Sequence, residues 1–179
     1  MSTKYLLGMI LASFFLVACS LSPEQAAMVR SVELTDLALT NATYVLDRGE
    51  DYPISIVAGH IALYDASHKA LATSITFTQN DAQGNVVLRG SADSATVDLQ
   101  SYDAQLQGSV TIEKMKEQLL IEADQLRWLH EEEILVSENQ AEVLITYEGN
   151  KRVRGTGLRV ELATSNVTFE QVLEGVVLP

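Results

Sequence analysis

The sequence predicts an all-β protein, and three observations carry that expectation. Apolar and polar residues alternate with a period of two through many short segments. Polar turns separate those segments at regular intervals, and the resulting hairpin-like unit recurs along the chain. The clearest unit spans residues 90–112, where Ala95, Val97 and Leu99 alternate with Thr96 and Asp98. A polar turn follows at Gln100-Ser101-Tyr102-Asp103, and Leu106, Val110 and Ile112 form the return segment. A period of two places apolar side chains on one face of a strand, so each unit has one dry face.

Related units lie on both sides. Ala58, Ile61 and Leu63 lead into Tyr64-Asp65-Ala66-Ser67 and return through Ile75 and Phe77. Ala123, Leu126 and Trp128 lead into His130-Glu131-Glu132-Glu133 and return through Ile134 and Leu135. Gly157, Val160 and Leu162 lead into Ala163-Thr164-Ser165-Asn166 and return through Val167 and Phe169. With Leu63, Leu99, Trp128 and Leu162 equivalent, the spacings are 36, 29 and 34 residues. Such spacing fits a stacked supersecondary repeat.

In chain order, Lys4 precedes an uncharged apolar run over residues 5–18, shorter than a comfortable membrane span. A charged start and apolar middle make a secretory signal, residues 1–18. The run ends Leu16-Val17-Ala18-Cys19, which resembles the bacterial lipobox, with Cys19 as the lipid-attachment residue. Cys19 is the sole cysteine of the 179-residue chain, so the mature domain is expected to have no disulfide. Cleavage before Cys19 leaves 11 basic and 24 acidic residues, a net charge of −13. Residues 19–31 are polar, include Pro23, and form a lipidated tether. Residues 32–179 form one domain, with candidate strands at 43–46, 54–58, 61–64, 71–79, 86–89, 95–100, 104–106, 110–113, 118–123, 125–129, 134–136, 141–147, 151–154, 158–161 and 167–171. Residues 113–133 are dense in Lys and Glu, but Met115, Leu119 and Leu126 hold no helical stripe, which favours strands. Many short strands at even spacing indicate a sandwich, barrel or jelly roll.

The strongly acidic balance argues against nucleic acid as a partner. His130-Glu131-Glu132-Glu133 lacks the second histidine four residues on that a helical zinc motif needs, and reads as a solvated turn in preference to a metal site. There is no Gly-x-Ser-x-Gly elbow and no phosphate-cradling glycine loop, so no catalytic residue and no cofactor are expected. Lys151, Arg152, Arg154 and Arg159 form a basic patch, read as edge-strand protection in preference to a contact for an acidic partner.

The alternating apolar set comprises Ile61, Leu63, Ile75, Phe77, Val97, Leu99, Leu106, Val110, Ile112, Ile121, Leu126, Trp128, Val143, Ile145, Val160, Leu162, Val167 and Phe169. Two arrangements are consistent with it: a sealed core, or two sheets that splay and leave a slot for hydrocarbon. Val167, Phe169 and Gln171 are candidates for an exposed edge that pairs with a partner strand.

The segments 58–77, Gly84-Asn85-Val86-Val87-Leu88-Arg89-Gly90-Ser91-Ala92, Leu106-Gln107-Gly108-Ser109-Val110, Ala123-Asp124-Gln125-Leu126-Arg127-Trp128 and 153–162 together resemble the LptC family of lipopolysaccharide-transport proteins. The resemblance covers residues 32–177. It implies a twisted antiparallel β-jellyroll, a V-opened sandwich of two sheets, whose apolar groove carries lipid. It also implies three partners: lipopolysaccharide or a related glycolipid, an inner-membrane ABC transporter that supplies it, and an LptA-like periplasmic β-jellyroll protein that receives it. Family members usually carry an N-terminal transmembrane helix, where this sequence has the lipobox. The expectation is a non-catalytic lipoprotein facing the periplasm, with the inner membrane favoured. An alternative is a lipoprotein with a sealed core that serves only as a protein-interaction module.

Overall fold

The computed structural model describes residues 35–48 and 51–177. The expected signal peptide, the lipid-attachment residue Cys19 and the tether lie outside the described residues.

Among the described residues, twelve antiparallel strands form one sheet: β1 Leu37–Arg48, β2 Asp51–Tyr64, β3 Lys69–Asn80, β4 Val86–Asp98, β5 Ala104–Lys114, β6 Leu119–Leu129, β7 Ile134–Val136, β8 Glu142–Tyr147, β9 Lys151–Thr156, β10 Arg159–Glu161, β11 Asn166–Thr168 and β12 Gln171–Val177. Strands β1 to β6 form a simple meander. Beyond β6 the sheet forks. The end of β6 pairs with β7, which leads to β10 and β11, while its start pairs with β8, which leads to β9 and β12. The pairs β7–β8, β9–β10 and β11–β12 therefore act as three long strands, each broken once.

A crease divides the sheet into two leaves. The ladders skip Asn41 and Gly59 between β1 and β2, and Gly59 and Ser74 between β2 and β3. Register shifts follow between Ser91 and Ser94 and between Gln107 and Val110. Asn41, Ser74 and Ser109 have φ near +50°, and Gly108 has φ 75°. The two register shifts are β-bulges, and at Asn41, Gly59 and Ser74 each strand sets one residue aside without a shift; both interruptions change the parity of the side chains. In β6 the inward residues are Leu119 and Ile121 before the crease, then Leu126 and Trp128 after it. In β4 the inward set changes from Leu88 and Ala92 to Ala95 and Val97. One extra residue per strand keeps the apolar face inward on both leaves.

This parity change explains why the sequence reads as many short strands. Segments 54–58 and 61–64 are one strand, β2, and 86–89 with 95–100 are β4. Likewise 104–106 with 110–113 are β5, and 118–123 with 125–129 are β6. The segment 167–171 is corrected the other way: it breaks after Thr168, and β12 starts at Gln171. Strand β1 begins six residues earlier than expected, at Leu37.

The repeat also has a physical basis. Leu63, Leu99, Trp128 and Leu162 stand at or beside the ends of β2, β4, β6 and β10, all on one rim of the first leaf. Each precedes a tight turn whose left-handed residue is His68, Tyr102, Glu133 or Ser165.

Candidate functional site

Directly opposed residues in an antiparallel pair share a face, so the ladders define rows of side chains across the interior. One row of the first leaf reads Leu37, Leu63, Ala70, Val97, Ala104, Trp128, Leu135, Val160 and Val167. A matching row of the second leaf reads Tyr44, Ile56, Phe77, Gly90, Ile112, Ile121, Ile145, Val153 and Gly175. These rows place half of the alternating apolar set on one concave surface.

Burial changes along the rows. At the middle strands the interior is filled: Val110, Ile121, Val143, Leu126 and Val160 are 0–1% exposed, and Ile112 and Ile145 are also buried. Leu126, Leu135, Leu158 and Val160 of the first leaf share one cluster with Val110, Ile121 and Val143 of the second. Toward β1 the packing thins. Ala58, Ile75 and Ala95 form a small separate cluster, with Ile56, Ile61, Ala72, Phe77 and Leu106 half-buried against it. Leu63, Val97 and Leu99 are half-buried as well. At the edge, Leu37, Leu39 and Tyr44 are inward by register yet 46%, 41% and 54% exposed. Alanines at 42, 58, 72, 92 and 95 supply short side chains beside the crease. The far end opens too, since Gly175 of β12 has nothing within contact distance of a Cβ placed on it.

Phe77 joins the two clusters. Its ring lies over Gly90, so close that a Cβ there would stand 2.2 Å from Cζ. Trp128, Leu162 and Phe169 are half-buried against the main cluster. Of the edge candidates, Val167 lies in β11, the outer strand of the first leaf, and Gln171 begins β12, the outer strand of the second. Phe169 is in the connection between them with its ring against Gly155, so it lies over the interior and not along an edge. Strand β1 is the opposite edge and, among the described residues, pairs only with β2.

The sequence reading missed Leu37, Leu39 and Tyr44. Their signal is the alternation Leu37, Leu39, then Ala42, Tyr44 and Leu46, interrupted at Asn41, where φ is 51°.

The charged clusters resolve into local structure. His130 donates its backbone N–H to Asp103 Oδ1 at 2.9 Å and packs edge-on to Tyr102 at 5.6 Å. Glu132 meets Arg159 at 3.4 Å, Arg154 meets Glu142 at 3.6 Å, and Lys151 pairs with Glu148. Among the described residues no three His, Cys, Asp or Glu side chains converge as a metal site requires. A surface hollow of about 520 Å³ lies on the first leaf beside the fork, lined by Arg127, Ser137, Glu138, Arg159 and Glu170 among others.

A family model described as lipopolysaccharide-assembly, LptC-related, matches residues 7–176. The chain belongs to the LptC-related family. Among solved structures, the chain is similar to LptH of Pseudomonas aeruginosa, described as the LptA-homologous periplasmic component of the conserved lipopolysaccharide transport device. The match covers 72% of this chain and 96% of that one, with a TM-score of 0.54 and 17% identity, a likeness of fold. A search of curated proteins gives no match. The LptC-related chain thus shares the open antiparallel architecture of that transport component, with its apolar concave surface least covered at β1 to β4.

Proposed function

We propose that this protein is a membrane-anchored lipid-transfer scaffold. It accepts lipopolysaccharide or a related envelope glycolipid from an inner-membrane ABC transporter and passes it to an LptA-like periplasmic β-jellyroll protein, with no catalytic step. Cys19 carries the anchoring lipid, and the protein faces the periplasm from the inner membrane. Family membership supports the cargo class. The single observation that carries the reading is the exposure of Leu37, Leu39 and Tyr44 on the concave face, in register with Ile56, Ile61 and Leu63.

The physical chemistry suits transfer. Burying hydrocarbon contributes about 25 cal/mol per Å² and has no preferred direction. An acyl chain in such a groove can slide without breaking an aligned set of hydrogen bonds. The anionic head stays in water, away from a surface whose net charge is itself strongly negative. Strand β1 at one edge, with β11 and β12 at the other, offers ladders for β-augmentation with neighbouring proteins.

The second reading, a module that only binds proteins, draws on the filled interior between Ile112 and Val160. Photoreactive residues separate the two. Placed at Tyr44 or Leu63 they should label the acyl chains of added lipopolysaccharide, whereas one at outward Thr76 should not. Equal labelling at Thr76, or none at Tyr44 and Leu63, favours the protein-only module.

A further inference from the structure

The concave surface is open at both ends and filled between them, so a lipid moving from β1 to β12 meets a closed segment over β5 to β10. Opposite the crease, the two leaves end in free rims. The rim of the second leaf holds the β5–β6 turn after Lys114, and that of the first holds the β10–β11 turn after Glu161. The Lys114 side chain crosses between them. Lys114 follows Val110 and Ile112 on the inward face of β5, and its ladder partners are the buried Leu88 and Leu119. Its stem is packed, with the side chain 16% exposed. Nζ donates to the Leu162 carbonyl at 2.6 Å and to Ser165 Oγ at 2.7 Å, 48 and 51 residues along the chain. Glu117, in its own turn, lies 3.3 Å from the same nitrogen.

A lysine on an inward row needs a reason, because burying an ammonium costs free energy unless it is hydrogen-bonded. Leu162, Ser165 and Glu117 all lie at a rim, and two of the three belong to the opposite leaf. We propose that Lys114 is a latch: its bonds to Leu162 and Ser165 hold the leaves closed over β5 to β10, and release of those bonds opens a continuous apolar slot between the two ends. The interior behind it is lined by Trp128, Leu162 and Ile121, so an open latch exposes fatty-chain binding surface that is closed at rest. Glu117 positions the ammonium from its own side and adds nothing across the seam. Lys114 is a positioning residue for the groove proposed above, and the inference rests on that reading.

The test compares photolabelling by lipopolysaccharide at Tyr44, in the open segment, with labelling at Trp128, behind the latch. Each is measured in the full chain, in Lys114→Met, which keeps the stem and removes the donors, in Ser165→Ala and in Glu117→Gln. In Lys114→Met, Trp128 labelling should rise about tenfold, the change that losing a hydrogen bond to a charged group produces. Labelling at Tyr44 should stay within about twofold. Ser165→Ala should give a smaller rise in the same direction, and Glu117→Gln none. Backbone amides of residues 163–166 should exchange with deuterium faster in Lys114→Met even without lipid. Unchanged labelling at Trp128 and unchanged exchange, with Tyr44 labelled normally, overturn the latch and leave the groove intact. Absence of labelling at Tyr44 in the unaltered chain overturns the groove itself. An equal rise in Glu117→Gln also overturns the latch, because no cross-leaf bond is lost there.

Discussion

Gly90 and Phe77 offer a sharp test of how the interior passes from open to filled. They are direct partners on β4 and β3, and Gly90 also faces Ile112 on β5. A methyl group at Gly90 would stand 2.2 Å from Phe77 Cζ, 2.8 Å from Cε1 and 2.5 Å from the Thr111 carbonyl oxygen. The ring can swing away, but the Thr111 oxygen belongs to the neighbouring strand and moves only with the ladder. Overpacking of this kind costs about 1–3 kcal/mol. Gly90 lies outside the left-handed region, so alanine also narrows the unfolded ensemble and recovers about 0.4–1 kcal/mol. Gly90→Ala should therefore destabilise by about 1–2 kcal/mol net. In a Phe77→Ala background the ring clash disappears while the Thr111 contact persists. The cost of Gly90→Ala should then fall by at least about 0.5 kcal/mol, the coupling expected of touching residues. Urea unfolding followed by Trp128 fluorescence measures each corner of the cycle, with the m-value held constant as the sign of an unchanged unfolded state. An equal cost in both backgrounds, or a gain in stability from Gly90→Ala alone, refutes the placement of the ring on the glycine.

Three further outcomes follow from the same geometry. Ser137 is buried, and its Oγ accepts the Leu158 N–H at 2.9 Å where the sheet forks, so Ser137→Ala leaves a buried donor unpaired. It should cost about 1–3 kcal/mol in urea unfolding, and a loss below about 0.5 kcal/mol would count against the fork geometry. Leu126→Ala should cost about 2–5 kcal/mol, because Leu126 is fully buried, whereas Leu39→Ala should cost under about 1 kcal/mol and act on acyl labelling instead. Comparable losses of stability at both positions would erase the distinction between filled core and open groove. The Asp81 carboxylate is held below the usual carboxylate range by hydrogen bonds from the Asn85 side chain and backbone, and the Asp98 carboxylate by the N–H groups of Ser101 and Gln100. With folded values lowered, their contribution is fully present above the ordinary range and is lost as pH falls through the folded values, below about pH 4. The double variant Asp81→Asn, Asp98→Asn should lose stability less steeply with acid in that window, and an identical slope would contradict the turn geometry.

The strands were legible wherever alternation persists, and the division of the sheet was legible only as interruption. Ile56 and Ala58 followed by Ile61 and Leu63 look like two strands, because a change of parity in sequence carries no sign of whether the chain bends or stops. Gly108 and Ser109, which bend β5, look like turn residues for the same reason. Strand β12 was not legible as a strand of its own because Glu174 and Gly175 interrupt the run from Val172 to Val177, and the ladder with β9 absorbs the interruption in a register shift. At the candidate groove, periodicity identified the inward residues but not their exposure. Ile61 and Val160 obey the same alternation, yet one is half-buried and the other sealed, because burial depends on which strands face them across the interior. Lys114 was invisible as a cross-leaf contact, since its partners lie about fifty residues away on the opposite rim.

The most direct measurement of the central idea uses methyl-labelled protein and lipopolysaccharide doped with acyl chains that bear a nitroxide. Resonances of Ile56, Ile61 and Leu63 should broaden strongly, while the sealed Val143 and Val160 and the outward, exposed Val57 should not. Broadening of Val57 equal to that of Ile56 and Ile61, or none at the concave methyls, would contradict the account.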